Sequence, residues 1–159
     1  MAVDYFLKLD GIPGESRDAK HRGQIELQSF SWGEVQQRPP AGSGAGAGRV
    51  AVQDLLFVGQ VGKASPKILL ACAAGTHIAT AVLTARRSGR AAQDFLVYSL
   101  MDVVVSSYQT GGVEGADGPV DQVSLSFGRI RVEYRAQKAD GSLEPVVSAG
   151  WDVNQNRPI

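Results

Sequence analysis

Apolar residues at Val3, Tyr5, Leu7 and Leu9 share one parity and run into Gly11, Pro13 and Gly14. That alternation predicts a half-buried strand ending in a turn. The stretch from Gly14 to Lys20 is charged and reads as a solvent-facing loop. Ile25 and Leu27 then alternate with Gln24, Glu26 and Gln28, but Phe30 and Trp32 follow on the opposite parity. A β-bulge near Gln28 and Ser29 returns both apolar pairs to one face. The same parity change recurs between Arg49 and Val58, where Val50 and Val52 precede Leu55 and Phe57, and predicts a distortion at Gln53 and Asp54.

Two segments break the β pattern. Arg38 to Gly48 reads Arg-Pro-Pro-Ala-Gly-Ser-Gly-Ala-Gly-Ala-Gly, with no side chain large enough to enter a core, and predicts a long exposed loop. Ser65 as N-cap, Pro66 in the first turn and Gly75 as the stop delimit one short helix. Between them, Ile68 to Ala74 is apolar on every side, so at least one face needs cover from a sheet or a neighbouring subunit.

Beyond His77 strands dominate: Ile78 to Arg86, Phe95 to Tyr108, Val120 to Tyr134 and Val146 to Val153. Ser88-Gly89, Gly111-Gly112, Gly115 to Pro119 and Asp140-Gly141 interrupt them. Phe95, Val97 and Met101 occupy one parity while Leu96, Tyr98 and Leu100 occupy the other, a strand covered on both sides, with the helix as the expected second cover. About eight strands with turns between them predict a mainly β fold, an antiparallel barrel or sandwich, with one short flanking helix at about residues 65–75. The pattern shows no internal repeat, and residues 1–159 read as a single domain.

Charge narrows the partners. Sixteen basic residues balance sixteen acidic ones, which leaves no net field to hold a nucleic acid or an anionic membrane. The start, Met1 to Lys8, lacks the features of a signal peptide, and no run approaches the roughly 18 apolar residues of a bilayer span, so the chain is expected to fold in the cytoplasm. Its one cysteine, Cys72, lies among alanines and leucines and reads as a buried, inert thiol.

Candidate chemistry mostly dissolves on inspection. Gly42, Gly44, Gly46 and Gly48 repeat at every second position, but a strand follows and the spacing fits neither a dinucleotide fingerprint nor a P-loop. His21, His77 and Cys72, with Asp54 and Asp102, lack metal-ligand spacing, and His77 is placed to bond a helix-end carbonyl or favour the helix dipole. Ser31 before Trp32-Gly33 is no nucleophile elbow. Glu26, Glu34, Asp94, Asp121 and Glu133 read as solvated or paired across strands. No catalytic residue, cofactor or metal is expected, and a strand face with no chemistry on it is still able to serve as a contact face.

Motifs spread along the chain then point to a family. Ala2-Val3-Asp4-Tyr5-Phe6-Leu7-Lys8-Leu9, Ile12-Pro13-Gly14-Glu15-Ser16-Arg17-Asp18, Phe30-Ser31-Trp32-Gly33 and Val52-Gln53-Asp54-Leu55 are the first of them. Ser65-Pro66, Ala71-Cys72-Ala73-Ala74-Gly75-Thr76-His77 and Val104-Val105-Ser106-Ser107-Tyr108-Gln109-Thr110-Gly111-Gly112 continue in order. Val123-Ser124-Leu125-Ser126-Phe127 and Gly150-Trp151-Asp152-Val153-Asn154 complete the set. Together they resemble the haemolysin-coregulated protein, the tube subunit of type VI secretion systems.

The resemblance implies a β-barrel subunit that forms six-membered rings, stacked into a tube within a contractile sheath and beneath a spike. It also implies effectors held in the lumen, and export without a cleaved signal peptide. On that reading Arg38, Pro39, Pro40, Gly42, Ser43, Gly44, Gly46 and Gly48 are inter-ring contact candidates, although the two prolines stiffen a loop that is usually rich in Gly and Ser. Gln24, Glu26, Gln28 and Ser31 are lumen and effector-contact candidates. A tail-tube protein of a phage or related contractile particle is the alternative with the same assembly physics. An enzyme with an unrecognised site is the third reading, and the chain leaves no room for an appended toxin domain.

Overall fold

The structure, a computed structural model, describes residues 2–38, 48–89 and 92–159. The chain opens with β1 (Val3–Leu9), β2 (Ile25–Leu27), β3 (Ser29–Ser31) and β4 (Glu34–Gln37). β5 (Arg49–Val52), β6 (Leu55–Gln60) and the helix α1 (Ser65–Ala74) follow. The second half holds the long β7 (His77–Arg87), β8 (Gln93–Gly111) and β9 (Val120–Tyr134), then β10 (Val147–Asp152) and β11 (Arg157–Pro158).

All the pairings are antiparallel. One nine-stranded sheet runs β11-β10-β9-β8-β7-β1-β2, and β6 pairs with both β9 and β3. The expected distortion near Gln28 is what turns this sheet back on itself. β2 pairs with β1, the chain bends at Gln28, and β3 pairs with β6. Gln28 N–H donates to Val58 C=O at 2.8 Å across the bend. The hydrogen-bonded ladder therefore does not close: β2 and β3 follow one another through the bend without pairing, and the expected barrel is an incompletely closed one. The second expected distortion, at Gln53 and Asp54, separates β5 from β6.

The first parity change has the predicted effect, whereas at the second Val50 and Val52 belong to the separate β4-β5 pair and stay outside the core cluster. Leu7, Leu9, Ile25, Leu27, Leu55 and Phe57 share one buried cluster with Leu83, Leu100, Val103, Val123 and Leu125, and Phe30 and Trp32 pack against it. Full burial of such side chains contributes about 1.5–3 kcal/mol each. The barrel interior is therefore filled by side chains.

α1 lies against β8 and buries Ile68 and Ala71 in that same cluster. It ends as expected: Gly75 is left-handed (φ 62°), Thr76 N–H bonds Ala71 C=O at 3.0 Å, and Gly75 N–H bonds Cys72 C=O at 3.3 Å. Its start differs from expectation. Ser65 lies within the helix, and its hydroxyl accepts from Gly62 N–H at 3.0 Å and donates to the Asp121 carboxylate instead of capping. Nor does α1 give β8 a second cover. It packs on the core side, leaving Phe95, Val97 and Met101 half-buried outside the cluster.

Candidate functional site

A subunit that works by contact presents surfaces, and the most distinctive one is built by β4 and β5. Glu34–Gln37, which carried no strand expectation, pairs with Arg49–Val52 as a separate two-stranded arm (Glu34↔Val52 through Gln37↔Arg49). Among the described residues neither strand pairs with any other, so the arm offers two open hydrogen-bonding edges. All four β4 residues are exposed, Val35 by 57%. The root of the arm is fixed. Trp32 donates its Nε1 hydrogen to Gln53 C=O at 2.9 Å and packs over Phe127, and Gln53 N–H bonds Gly33 C=O at 3.0 Å.

Of the inter-ring candidates, Arg38 and Gly48 are described, and they flank the ends of β4 and β5. Arg38 is exposed and Gly48 half-buried, and a Cβ on Gly48 would collide with the Gln37 carbonyl of the opposite strand. Pro39, Pro40, Gly42, Ser43, Gly44 and Gly46 lie outside the described residues.

The lumen candidates divide. Glu26, Gln28 and Ser31 are exposed, and Glu26 and Gln28 line a groove of about 320 Å³ between β1 and β2. Gln24 is instead half-buried, its amide oxygen 3.1 Å from His21 Nδ1.

The loop after β1 departs most from expectation. Glu15, Arg17, Ala19 and Lys20 face solvent as expected, but Gly14, Ser16 and His21 are buried, and the segment 14–24 lies as a strap whose Asp18 and His21 reach β1, β7 and β8. His21 stacks on Phe6 with ring centroids 4.5 Å apart, and its Nε2 meets Asp94 Oδ1 at 2.9 Å. Arg86, 8% exposed, pairs with Asp18 of the strap and with Asp4 of β1 at 3.4 Å, and lies over the Phe6 ring at 4.8 Å. The guanidinium holds the Asp18 carboxyl below its ordinary value against the opposing effect of burial. Phe6, on the parity opposite to the core residues of β1, was the one local sign of a second buried face.

A second buried polar group joins α1 to β8 and β9. Asp121, 4% exposed, is not solvated but takes the other expected form, bonded across strands: it receives hydrogen bonds from Ser65 and, at 2.8 Å, from the Tyr108 hydroxyl of β8. Burial first, and then the Asp121 carboxylate, pushes the Tyr108 phenol above its ordinary value. His77 does not cap the helix end either; its Nε2 faces Asp102 at 3.3 Å on the surface. Among the described residues no three His, Cys, Asp or Glu side chains converge as metal ligands would. These networks join elements of the fold to one another.

Comparison with known proteins agrees with this architecture. Residues 6–134 match the family described as type VI secretion system effector, Hcp. Protein hcp1 of Pseudomonas aeruginosa is 41% identical, with 98% of each chain covered. The crystal structure of Hcp1 from Salmonella typhimurium is 35% identical, superposes with a TM-score of 0.83 and covers 100% of both chains. A structure described as a type six secretion system protein reaches a TM-score of 0.92 at 28% identity, covering 99% of this chain and 100% of its own. With family match, sequence identity and barrel all extending over nearly the whole length, this chain belongs to the Hcp family of type VI secretion system proteins.

Proposed function

We propose that this chain is the inner-tube subunit of a type VI secretion system, forming six-membered rings that stack into a tube and carry effectors in the ring lumen. It catalyses no reaction of its own. Its partners are further copies of itself, the spike, the contractile sheath and the secreted effectors, and it leaves the cytoplasm without a cleaved signal peptide.

The observation that carries this reading is the near full-length likeness to Hcp proteins. Three physical features support it. The barrel interior is packed with Leu, Val and Phe side chains, so cargo has no path through one subunit and needs a space enclosed between subunits. The open-edged arm suits contact with a neighbouring ring, because unpaired strand edges become assembly devices when another chain completes them. Equal numbers of acidic and basic residues allow many copies to stack without a net charge opposing them.

Light scattering behind a sizing column tests the ring at several concentrations. The expected mass is near six times the 16.8 kDa chain. A monomer at every concentration overturns the ring and, with it, the lumen.

A further inference from the structure

The ladder registers place Asp4 beside Arg86 and Phe6 beside Thr84 across β1 and β7, and Arg86 beside Asp94 across β7 and β8. Phe6, Thr84 and Arg86 are buried, yet they lie outside the apolar core cluster. The strap lies over Phe6 and Arg86, and it holds itself together. Gly14 N–H bonds Gly23 C=O at 2.8 Å, Gly23 N–H bonds Ser16 C=O at 2.8 Å, and Asp18 Oδ2 accepts from the backbone N–H of Lys20 and His21 at 3.0 and 3.1 Å.

The strap's attachment to the barrel is of a different kind. It consists of Asp18 on Arg86, His21 on Asp94 and Phe6, and Glu15 on the Lys63 backbone N–H at 3.1 Å. The groups facing this latch are Asp4 from β1, Arg86 from β7, Asp94 from β8 and, along the adjoining groove, Glu26 from β2. Arg86 Nε finds no acceptor among the described residues, so even the closed latch leaves one donor unsatisfied. The long strands β1, β7, β8 and β9, by contrast, are tied by antiparallel ladders and a shared apolar interior.

We propose that the segment 14–24 is a lid that opens as one unit while the barrel stays folded, latched by Arg86 and His21 against the carboxylates of Asp4, Asp18 and Asp94. Internal hydrogen bonds keep the lid intact as it lifts, and ionic and aromatic contacts set how often it lifts. Opening uncovers the buried Phe6 ring with the Arg86 guanidinium between acidic neighbours and widens the groove beside Glu26 and Gln28.

Hydrogen exchange read by mass spectrometry on the full chain tests this. In the unaltered protein, lid amides exchange at least about tenfold faster than those of β8 and β9. In R86M, which keeps a long apolar side chain over Phe6 but removes the charge, lid exchange rises about tenfold further while β8 and β9 stay within about twofold. D94A, at a position whose side chain is 37% exposed, removes the His21 partner and raises lid exchange alone even if R86M fails to fold. Lid and barrel amides exchanging in step in all the proteins, or lid rates unmoved by D94A, overturn the proposal.

Discussion

At the scale of single residues, the buried polar groups carry consequences that the apolar core does not. Asp121 is a carboxylate taken out of water, tolerable because Ser65 and Tyr108 both donate to it. Tyr108→Phe removes one donor from a charged acceptor and is expected to cost about 1.5–3 kcal/mol in urea denaturation at neutral pH. The sign of the pH dependence follows from the raised phenol. Its contribution is complete below the ordinary tyrosine value of about 10 and is lost as pH rises through the higher folded value, when a phenolate would face the Asp121 carboxylate. The stability gap between the unaltered protein and Tyr108→Phe should therefore close on the alkaline side. Curves that stay parallel to high pH would show that the hydroxyl contributes nothing through Asp121.

At the scale of elements, the arm was only partly legible. The connection from Arg38 to Gly48 was expected to be an exposed loop because eleven consecutive small, proline or terminal arginine residues cannot enter a core, and residues 39–47 of it lie outside the described residues. The arm's first strand was not expected. Glu34–Gln37 alternates nothing apolar except Val35, so no period marks it, and it becomes a strand because Arg49–Val52 lies beside it. If the arm bridges rings, deleting Gly42 to Gly46 leaves rings intact and abolishes stacking, as electron microscopy of purified protein would show. Long tubes from the deletion would remove the arm from the stacking interface. The helix was more legible. Its stop depends on Gly75 at positive φ, a local requirement that sequence reports directly.

At the scale of the whole molecule, a filled barrel separates two questions that a hollow one would merge. Mutations inside test folding, whereas mutations at exposed positions between β1 and β6 test the contacts of the proposed ring. Ser31 is exposed on β3, so Ser31→Glu is expected to change stability by no more than about 0.5 kcal/mol. If β3 lines the lumen, the same change weakens effector retention while light scattering still reports rings. Retention equal to that of the unaltered protein would place Ser31 elsewhere on the ring.

What the sequence determined by itself is what depends on neighbours a few residues apart: the period of β1 and β6–β9, the bends at Gln28 and at Gln53-Asp54, the span and stop of α1, and the family motifs. The tertiary structure alone decided which polar residues are buried. His21 meets Asp94 across 73 residues of chain, Ser65 meets Asp121 across 56, and Arg86 meets Asp4 across 82. No local pattern marks those partners, because a charged residue in a loop looks solvated until the registers of β1, β7 and β8 bring opposite charge and an aromatic face beneath it. The same holds for the arm, whose edges exist only once two weakly patterned segments meet.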